Sequence, residues 1–197
     1  MIYNSNSMRK PREKLREKPR DRIGHVDRIV FLDAGTLNWG DLSFKEIEAL
    51  GKFKACRFTK AREVEKRARA VAIVITNKCR FDARLIPRLK GLRLIAVTAT
   101  GVNNIDLEAA RKNEIAVANV PRYSTETVVQ FTFGFLLALA GNLVKFNEAV
   151  QGGSWSGSRF FTLPYYPIRE ICGKTLGILG YGTIGKRVAE VAGAFGM

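Results

Sequence analysis

Short apolar segments typical of β-strands alternate with helical segments over residues 28–119, and this alternation constrains the fold most. Residues 71–76 read VAIVIT, which is β-branched on both faces and suits a strand buried on both sides. The same pattern predicts strands at 28–33, 54–58, 94–98 and 115–119, and helices at 43–50 (with Ser43 as N-cap), 61–69, 82–89 and 106–112. Strands separated by helices pair in parallel through right-handed crossovers. The sequence therefore predicts an α/β domain with a parallel sheet.

The carboxyl ends of the strands in this flavodoxin-like domain, residues 27–120, carry polar, glycine-bearing and cationic segments. Ligands of open α/β sheets bind beyond these ends. The segments are 33–35, 76–78, 100–104 and 119–121. Polar residues after a strand are also ordinary turn chemistry, so the interpretation depends on several such ends sharing one edge. Together they predict a site for a small anion.

A glycine-rich loop, GYGTIG at 180–185, lies between a strand-like segment, 173–180, and a helical segment, 186–195. A strand before and a helix after favour a dinucleotide-binding loop over a plain glycine turn. The three glycines would permit a tight turn, close approach of a pyrophosphate and close helix packing, at Gly180, Gly182 and Gly185 respectively. The acidic residue that grips the ribose would lie about 20 residues further on. The expected cofactor is therefore NAD or NADP, with the choice left open.

Residues 121–172 are interpreted as a linker between the predicted sheet domain at 27–120 and the segment 173–197 that carries the glycine-rich loop. The apolar stretch 128–144 is shorter than the roughly 20 residues that span a bilayer, so it predicts a buried helix, capped by Ser124 or Thr125, and no membrane span. Residues 141–166 look loop-like. Their aromatic residues form a partner surface or pack under their own loop, and both readings stay open: Trp155, Phe160, Phe161, Tyr165 and Tyr166.

The net charge of +15 is concentrated in part at the start of the chain, where residues 1–26 hold eight Lys or Arg against three Asp or Glu. This segment lacks the apolar core of a secretory signal and predicts a solvated, disordered extension or an early start codon. Binding of nucleic acid or an acidic surface is the less favoured alternative, because no aromatic residues are interleaved. The three cysteines form no CxxC pair, which argues against a disulfide scaffold or a metal site and favours the reducing cytoplasm.

Six stretches of the sequence together resemble the D-isomer-specific 2-hydroxyacid dehydrogenases, most closely the glycerate dehydrogenase/hydroxypyruvate reductase branch. They are FLDAGTLNWGDLSF (31–44), ITNK (75–78), TGVNNIDLEAA (100–110), NVPRYSTETVVQFTF (119–133), GSWS (153–156) and GKTLGILGYGTIGKRVAEVAGAFGM (173–197). They cover nearly all of residues 28–197 in the family's order and spacing.

The resemblance implies a flavodoxin-like substrate domain at 27–120, a linker helix and dimer arm at 121–172, and the first βα unit of a Rossmann domain at 173–197. It implies hydride transfer between a nicotinamide and a small D-2-hydroxy or 2-keto acid, in a homodimer. The residues that it assigns to the substrate are Asn77, Lys78, Thr100, Gly101, Val102 and Tyr123. Those assigned to the cofactor are Thr127, Gly180, Tyr181, Gly182, Thr183, Ile184 and Gly185. For Lys78 and Tyr123 the alternative is packing in a surface turn.

The family's catalytic arginine, glutamate and histidine would lie beyond Met197, and the only histidine, His25, matches no family position. We therefore expect an N-terminal part of a dehydrogenase that does not oxidise NADH with hydroxypyruvate by itself. Two alternatives remain. One is a nucleotide-sensing binding module like the family's corepressor relatives, and the other is a non-functional fragment.

Overall fold

The computed structural model describes residues 26–164 and 166–197, which form two compact units. Among the described residues, unit 1 holds 26–97 and Asn103–Ala118, and unit 2 holds Thr98–Val102 and 119–197 without residue 165. The basic segment before residue 26, with His25, and the side chain of Tyr165 lie outside the described residues.

Unit 1 is built on a five-stranded parallel sheet with the order β2-β1-β3-β4-β5, which confirms the predicted flavodoxin-like fold. Its central strands bury their apolar side chains: Ile29, Val74 and Ile95 are each at most 2% exposed. The strands are β1 Val26–Phe31, β2 Gly51–Ala55, β3 Ile73–Thr76, β4 Leu94–Val97 and β5 Ala116–Ala118.

Three α-helices of unit 1 connect these strands: α1 Lys45–Glu48, α2 Ala61–Ala68 and α3 Leu107–Lys112. Helix α2 faces the sheet with Val64 and Ala68 and exposes its charged side, as its amphipathic spacing requires. Helix α3 begins where the carboxylate of Asp106 accepts the N–H of Ala109 at 2.9 Å.

Unit 2 contains three helices, α4 Thr125–Ala140, α5 Leu143–Gln151 and α6 Thr183–Ala194. Helices α4 and α6 pack together through a core of Val129, Phe133, Val188 and Ala192. The ring of Phe133 also stacks on that of Phe195, with centroids 5.2 Å apart. This packing fixes where the glycine-rich loop before α6 is held.

The predicted strand at 173–180 is wrong, because no strand is formed there among the described residues. The alternation that suggested it is real: Leu176 and Ile178 pack partly buried against the α4–α6 core, while Leu179 is fully exposed. A strand also needs a neighbour with which to exchange backbone hydrogen bonds, and the described part of unit 2 offers none.

The predicted helix at 82–89 is also wrong. The carboxylate of Asp82 accepts the N–H groups of Arg84 and Leu85 at 3.1 and 3.0 Å, which closes a turn. Pro87 has no N–H to continue a helix, so only a 3₁₀ turn forms, at Ile86–Arg88.

Two predicted boundaries near the first helix move. Helix α1 has Phe44 as its N-cap instead of Ser43, without a side-chain cap. The strand predicted at 54–58 forms at Gly51–Ala55, because pairing with β1 sets its register.

The apolar linker differs from its prediction in two ways. Helix α4 is buried on one side only: Val129 and Phe133 pack in the core with α6, whereas Phe131, Phe135 and Leu139 are 57–79% exposed. Residues 141–166 contain α5, whose helical character the glycines and aromatics around it concealed. Ser124 is the N-cap of α4, as one of the two predicted alternatives, but its side chain makes no capping hydrogen bond.

None of the helices in the described ranges is long and apolar enough to cross a membrane alone. In the same ranges, only α4 and α5 taken together have the length and apolar composition of a membrane span, and the two helices are bent by 62° to each other.

Candidate functional site

The loop after β3 is held by the carboxylate of Asp33, which lies just beyond the end of β1. Asp33 is 4% exposed and accepts the N–H groups of Asn77 and Lys78 at 2.9 and 2.6 Å, and the hydroxyl of Thr76 at 3.2 Å. The backbone at 76–78 is thereby fixed, while the side chain of Lys78 is exposed. The site residues predicted from the sequence do not include Asp33. A carboxylate directly after an apolar strand was the sequence feature that could have indicated it.

A second residue, Asn104, reinforces the same loop from the segment before α3. Its amide nitrogen donates to the carbonyl oxygen of Cys79 at 3.0 Å and to that of Asn77 at 3.4 Å. The side-chain oxygen of Asn77 is buried and has no hydrogen-bond partner among the described residues. Buried acceptors are usually satisfied, so this oxygen is an available acceptor in the loop.

The thiol of Cys79 lies at the end of this loop and is buried. Burial raises the pKa of Cys79 above its ordinary value, and the nearby negative charge of Asp33 raises it further, while a hydrogen bond with Thr76 opposes this. The thiol therefore stays protonated near neutral pH and is not a nucleophile.

In unit 2, the loop after β4 presents two backbone N–H groups at Gly101 and Val102. Neither has an acceptor among the residues that the structure describes. The polar groups of Thr100 are engaged instead: its hydroxyl donates to the carbonyl of Val120 at 3.0 Å, and its carbonyl accepts the side-chain amide of Asn119 at 2.7 Å. A side chain at Gly101 would meet nothing within 4 Å, so its backbone is open to a ligand. Two adjacent free amides can bind a carboxylate.

Tyr123 and Thr127 lie around the start of α4, one helical turn apart, and both are exposed. Between them, Glu126 forms an ion pair with Arg187 of α6 at 3.1 Å. This pair ties the first turn of α4 to the helix that follows the glycine-rich loop.

The glycine-rich loop has the backbone geometry of an anion site. Gly180 has φ +96°, in the region that favours glycine. Gly185 is buried, and a Cβ there would overlap the carbonyl oxygen of Gly180, so only glycine permits this approach. Gly182 is the N-cap of α6, and a Cβ there would project into open space.

The first turn of α6 leaves the N–H groups of Thr183, Ile184 and Gly185 without acceptors in the described part of the chain. Three free amides at the positive end of a helix dipole bind phosphate oxygens. Tyr181 is 63% exposed beside them. The residues present therefore fit a pyrophosphate group.

The structure places Asn77 and Lys78 in unit 1, and the other predicted site residues in unit 2. Within unit 2 it brings together the free amides of residues 183–185 in one turn and those of 101–102 in another. No cluster of His, Cys, Asp or Glu able to hold a metal ion occurs in the ranges 26–164 and 166–197.

Comparison with known proteins places these features in context. Residues 39–191 match the model for "D-isomer specific 2-hydroxyacid dehydrogenase, catalytic domain". A hydroxypyruvate reductase of Blautia hydrogenotrophica is 36% identical over 173 residues, covering 86% of this chain and 54% of that protein. A glycerate dehydrogenase of Methylorubrum extorquens is 36% identical over 171 residues, with the same coverage.

Among solved structures, the D-lactate dehydrogenase from Aquifex aeolicus, complexed with NAD and lactic acid, aligns with a TM-score of 0.70 and 26% identity. The alignment covers 86% of this chain and 49% of that one. The chain spans about half the length of the curated relatives it matches.

Proposed function

Because the chain belongs to the D-isomer specific 2-hydroxyacid dehydrogenase family, we propose that it serves NAD(P)-dependent hydride transfer between a nicotinamide and a small D-2-hydroxy or 2-keto acid. The relatives favour a glycerate- or hydroxypyruvate-like substrate. The observation that carries the proposal is the turn at 180–185, whose three free amides and open Gly182 fit a pyrophosphate. We propose that this chain supplies recognition of cofactor and substrate.

The cofactor is proposed to be NAD or NADP, held through its pyrophosphate. The N–H groups of Thr183, Ile184 and Gly185 would donate to the phosphate oxygens, helped by the dipole of the twelve-residue helix α6. Gly182 would let the phosphates approach the backbone closely. When bound, the nicotinamide supplies or accepts the hydride.

The substrate carboxylate is proposed to bind the N–H groups of Gly101 and Val102. Thr100 holds that loop by its hydrogen bonds to Val120 and Asn119. In unit 1, taken by itself, Lys78 is the cation proposed to favour an anionic substrate, and Asp33 keeps the backbone under Lys78 in place. Hydrogen bonds to the carboxylate would orient a small acid and leave its carbonyl carbon free to react.

The acid that would protonate the carbonyl oxygen is, by the family resemblance, a histidine, a role that the backbone amides of residues 101–102 and 183–185 cannot take. The chain has one histidine, His25, outside the described residues. We therefore propose that the 197-residue chain alone binds the cofactor and the acid without turnover. Steady oxidation of NADH with hydroxypyruvate by the purified chain, lost in a His25→Ala variant, would contradict this.

A homodimer through the exposed face of α4 and α5 is also part of the proposal. Phe131 and Phe135 contact each other with ring centroids 6.2 Å apart, and Leu139, Leu143 and Val144 continue the apolar face, each more than half exposed. An apolar patch of this kind marks an interaction surface.

Light scattering should show a dimer at micromolar concentration, converted to monomer by Phe135→Ser with Leu139→Ser. Trp39→Ser, which removes an exposed aromatic of unit 1, is the matched control and should leave the dimer intact. A monomeric wild-type chain would contradict the dimer.

The cofactor part is tested by NADH binding, measured by fluorescence, to variants at two glycines that both face open space. Gly182→Val places a branched side chain where the pyrophosphate would approach, and should weaken NADH binding at least tenfold. Gly193→Val, near the other end of α6, is the control and should change it less than twofold. Equal affinities for the two variants, or no binding by the wild type, would contradict the proposal.

A further inference from the structure

A cavity of about 570 Å³ opens in unit 1 between the start of α2 and the segment 78–88. Its lining is unusual because five of the residues are cationic and only three are acidic. They are Arg62, Lys78, Arg80, Arg84 and Arg88, with Asp33, Glu65 and Asp82.

The three carboxylates of the lining are already engaged. Asp33 accepts three hydrogen bonds from residues 76–78. Glu65 accepts from Arg69 at 2.6 Å and from Arg88 at 3.2 Å, and these guanidinium groups hold the pKa of Glu65 below its usual range. Hydrogen bonds from Leu85 and Arg84 lower the pKa of Asp82. The lowered pKa values keep Glu65 and Asp82 ionised, and the hydrogen bonds of all three carboxylates serve the local structure.

Three of the arginines, Arg62, Arg80 and Arg84, form no ion pair with any described carboxylate. Each is exposed at the cavity. Guanidinium groups offer several donors in a planar fork that suits phosphate and carboxylate oxygens. Arg80 and Arg84 do interact with the charge of Asp82, but with five cations against three carboxylates the cavity lining keeps an excess of positive charge.

The backbone at the start of α2 adds to this charge. The N–H groups of Ala61 and Arg62 have no acceptor among the described residues. Lys60 donates its own N–H to Glu63 at 3.2 Å, so this carboxylate satisfies the cap and leaves the next two amides free. Helix α2 has eight residues, and its positive end lies at the cavity lining.

The cavity also has an apolar wall. Val64 and Leu85 line it, and Phe58 stands at it with 68% of its surface exposed. The backbone that carries Phe58 is fixed, because Arg67 donates to the carbonyl of Phe58 at 2.9 Å and to the hydroxyl of Thr59 at 2.8 Å. An exposed ring on a fixed backbone can serve as a stacking platform for a flat group.

We propose that this cavity binds a phosphate monoester with a planar ring, of which a nucleoside monophosphate is the simplest case. Arg62, Arg80, Arg84 and the amides of Ala61 and Arg62 take the phosphate, and Phe58 stacks on the ring. The pyrophosphate loop at 180–185 and the amides of 101–102 have no part in this site.

The test is a titration of the ¹⁵N-labelled chain with AMP, which reads each amide separately. Shifts are expected at Ala61, Arg62 and Cys79. Arg62→Ala and Arg84→Ala should each weaken this binding at least fivefold. Arg111→Ala removes the same charge from an exposed position on α3 away from the cavity lining, and should weaken it less than twofold.

The ring is tested by comparing AMP with ribose 5-phosphate. Phe58→Ala should weaken AMP severalfold and leave ribose 5-phosphate unchanged, and an equal effect on both would overturn the stacking. Equal losses for Arg84→Ala and Arg111→Ala, or no shifts at Ala61 and Arg62 at millimolar AMP, would overturn the site. Shifts confined to residues 183–185 would overturn it as well while supporting the cofactor loop, so the two proposals fail separately.

Discussion

At the scale of single residues, the buried carboxylate of Asp33 organises more backbone than any side chain assigned to a ligand. It joins the end of β1 to the loop after β3 through two N–H groups and a hydroxyl. Hydrogen bonds to a charged, buried acceptor are stronger than neutral ones. The position of Lys78 therefore depends on a residue that touches no ligand itself.

Asp33→Asn should destabilise the chain, because an amide offers one acceptor oxygen in place of two and turns a donor toward the N–H of either Asn77 or Lys78, which now bond to different oxygens. We expect a loss of about 1–3 kcal/mol in the free energy of unfolding, measured by urea denaturation. Asp41→Asn is the matched control: Asp41 is exposed and accepts only the N–H of Trp39, at 3.1 Å, so its loss should be well below that. Similar losses for both variants would contradict this role of Asp33.

Cys79 and Cys172 should differ in reactivity, since one is buried with a raised pKa and the other is exposed. Brief treatment with iodoacetamide near pH 7.5, followed by peptide mass spectrometry, should find Cys172 modified first. Because a raised pKa keeps the thiol of Cys79 protonated until higher pH, the modification of Cys79 should increase as the pH is raised further. Equal rates at neutral pH would contradict the placement of Cys79.

At the scale of elements, the approach of α6 to the turn before it depends on Gly185. A Cβ at this position would overlap the carbonyl oxygen of Gly180, and backbone cannot yield as a flexible side chain can. The glycine is thus required by packing, in addition to any ligand at Gly182.

Gly185→Ala should loosen the start of α6, with a cost of roughly 1–3 kcal/mol, seen as faster hydrogen exchange of the α6 amides. Gly193→Ala, which meets no atom within 4 Å, should be neutral or slightly stabilising because alanine is the better helix former. The prediction fails if the two variants exchange alike.

The strands and their parallel pairing could be predicted from the sequence, because β-branched runs such as 71–76 specify a strand through local composition and intervening helices require parallel crossovers. Elements that depend on a distant or missing contact could not. The segment 173–180 was interpreted as a strand from its composition, but the pairing that makes a strand is not a local property. The turn at 82–85 was missed because a side chain, Asp82, competes with the helix for its amides.

The site showed the same division. In the loop 180–185 the glycine residue type itself indicates a tight turn and a close backbone approach, so the backbone of this loop could be predicted from the sequence. Asp33 and Asn104 act through contacts with residues 25–45 positions away, which no spacing rule reveals. The exposed side of α4 could not be predicted either. A helix that is apolar all round predicts burial, but the pattern does not identify the surface that covers it.

At the scale of the whole molecule, one chain carries two kinds of anion-binding backbone: the amides of 101–102 and those of 183–185. Both lie in unit 2, while the sheet of unit 1 carries Lys78 and the loop that Asp33 holds. The family match over residues 39–191 includes Lys78 and both sets of amides, but not Asp33. Recognition of a small acid and a dinucleotide is therefore the function that we propose for the chain.

The most direct test of this account is a titration of the ¹⁵N-labelled chain with NADH and, separately, with D-glycerate. We predict that NADH moves the amide signals of Thr183, Ile184 and Gly185, and that D-glycerate moves those of Gly101 and Val102. If millimolar concentrations of both ligands leave these five amides unmoved, the chain does not recognise a dinucleotide and a hydroxy acid, and the account is wrong.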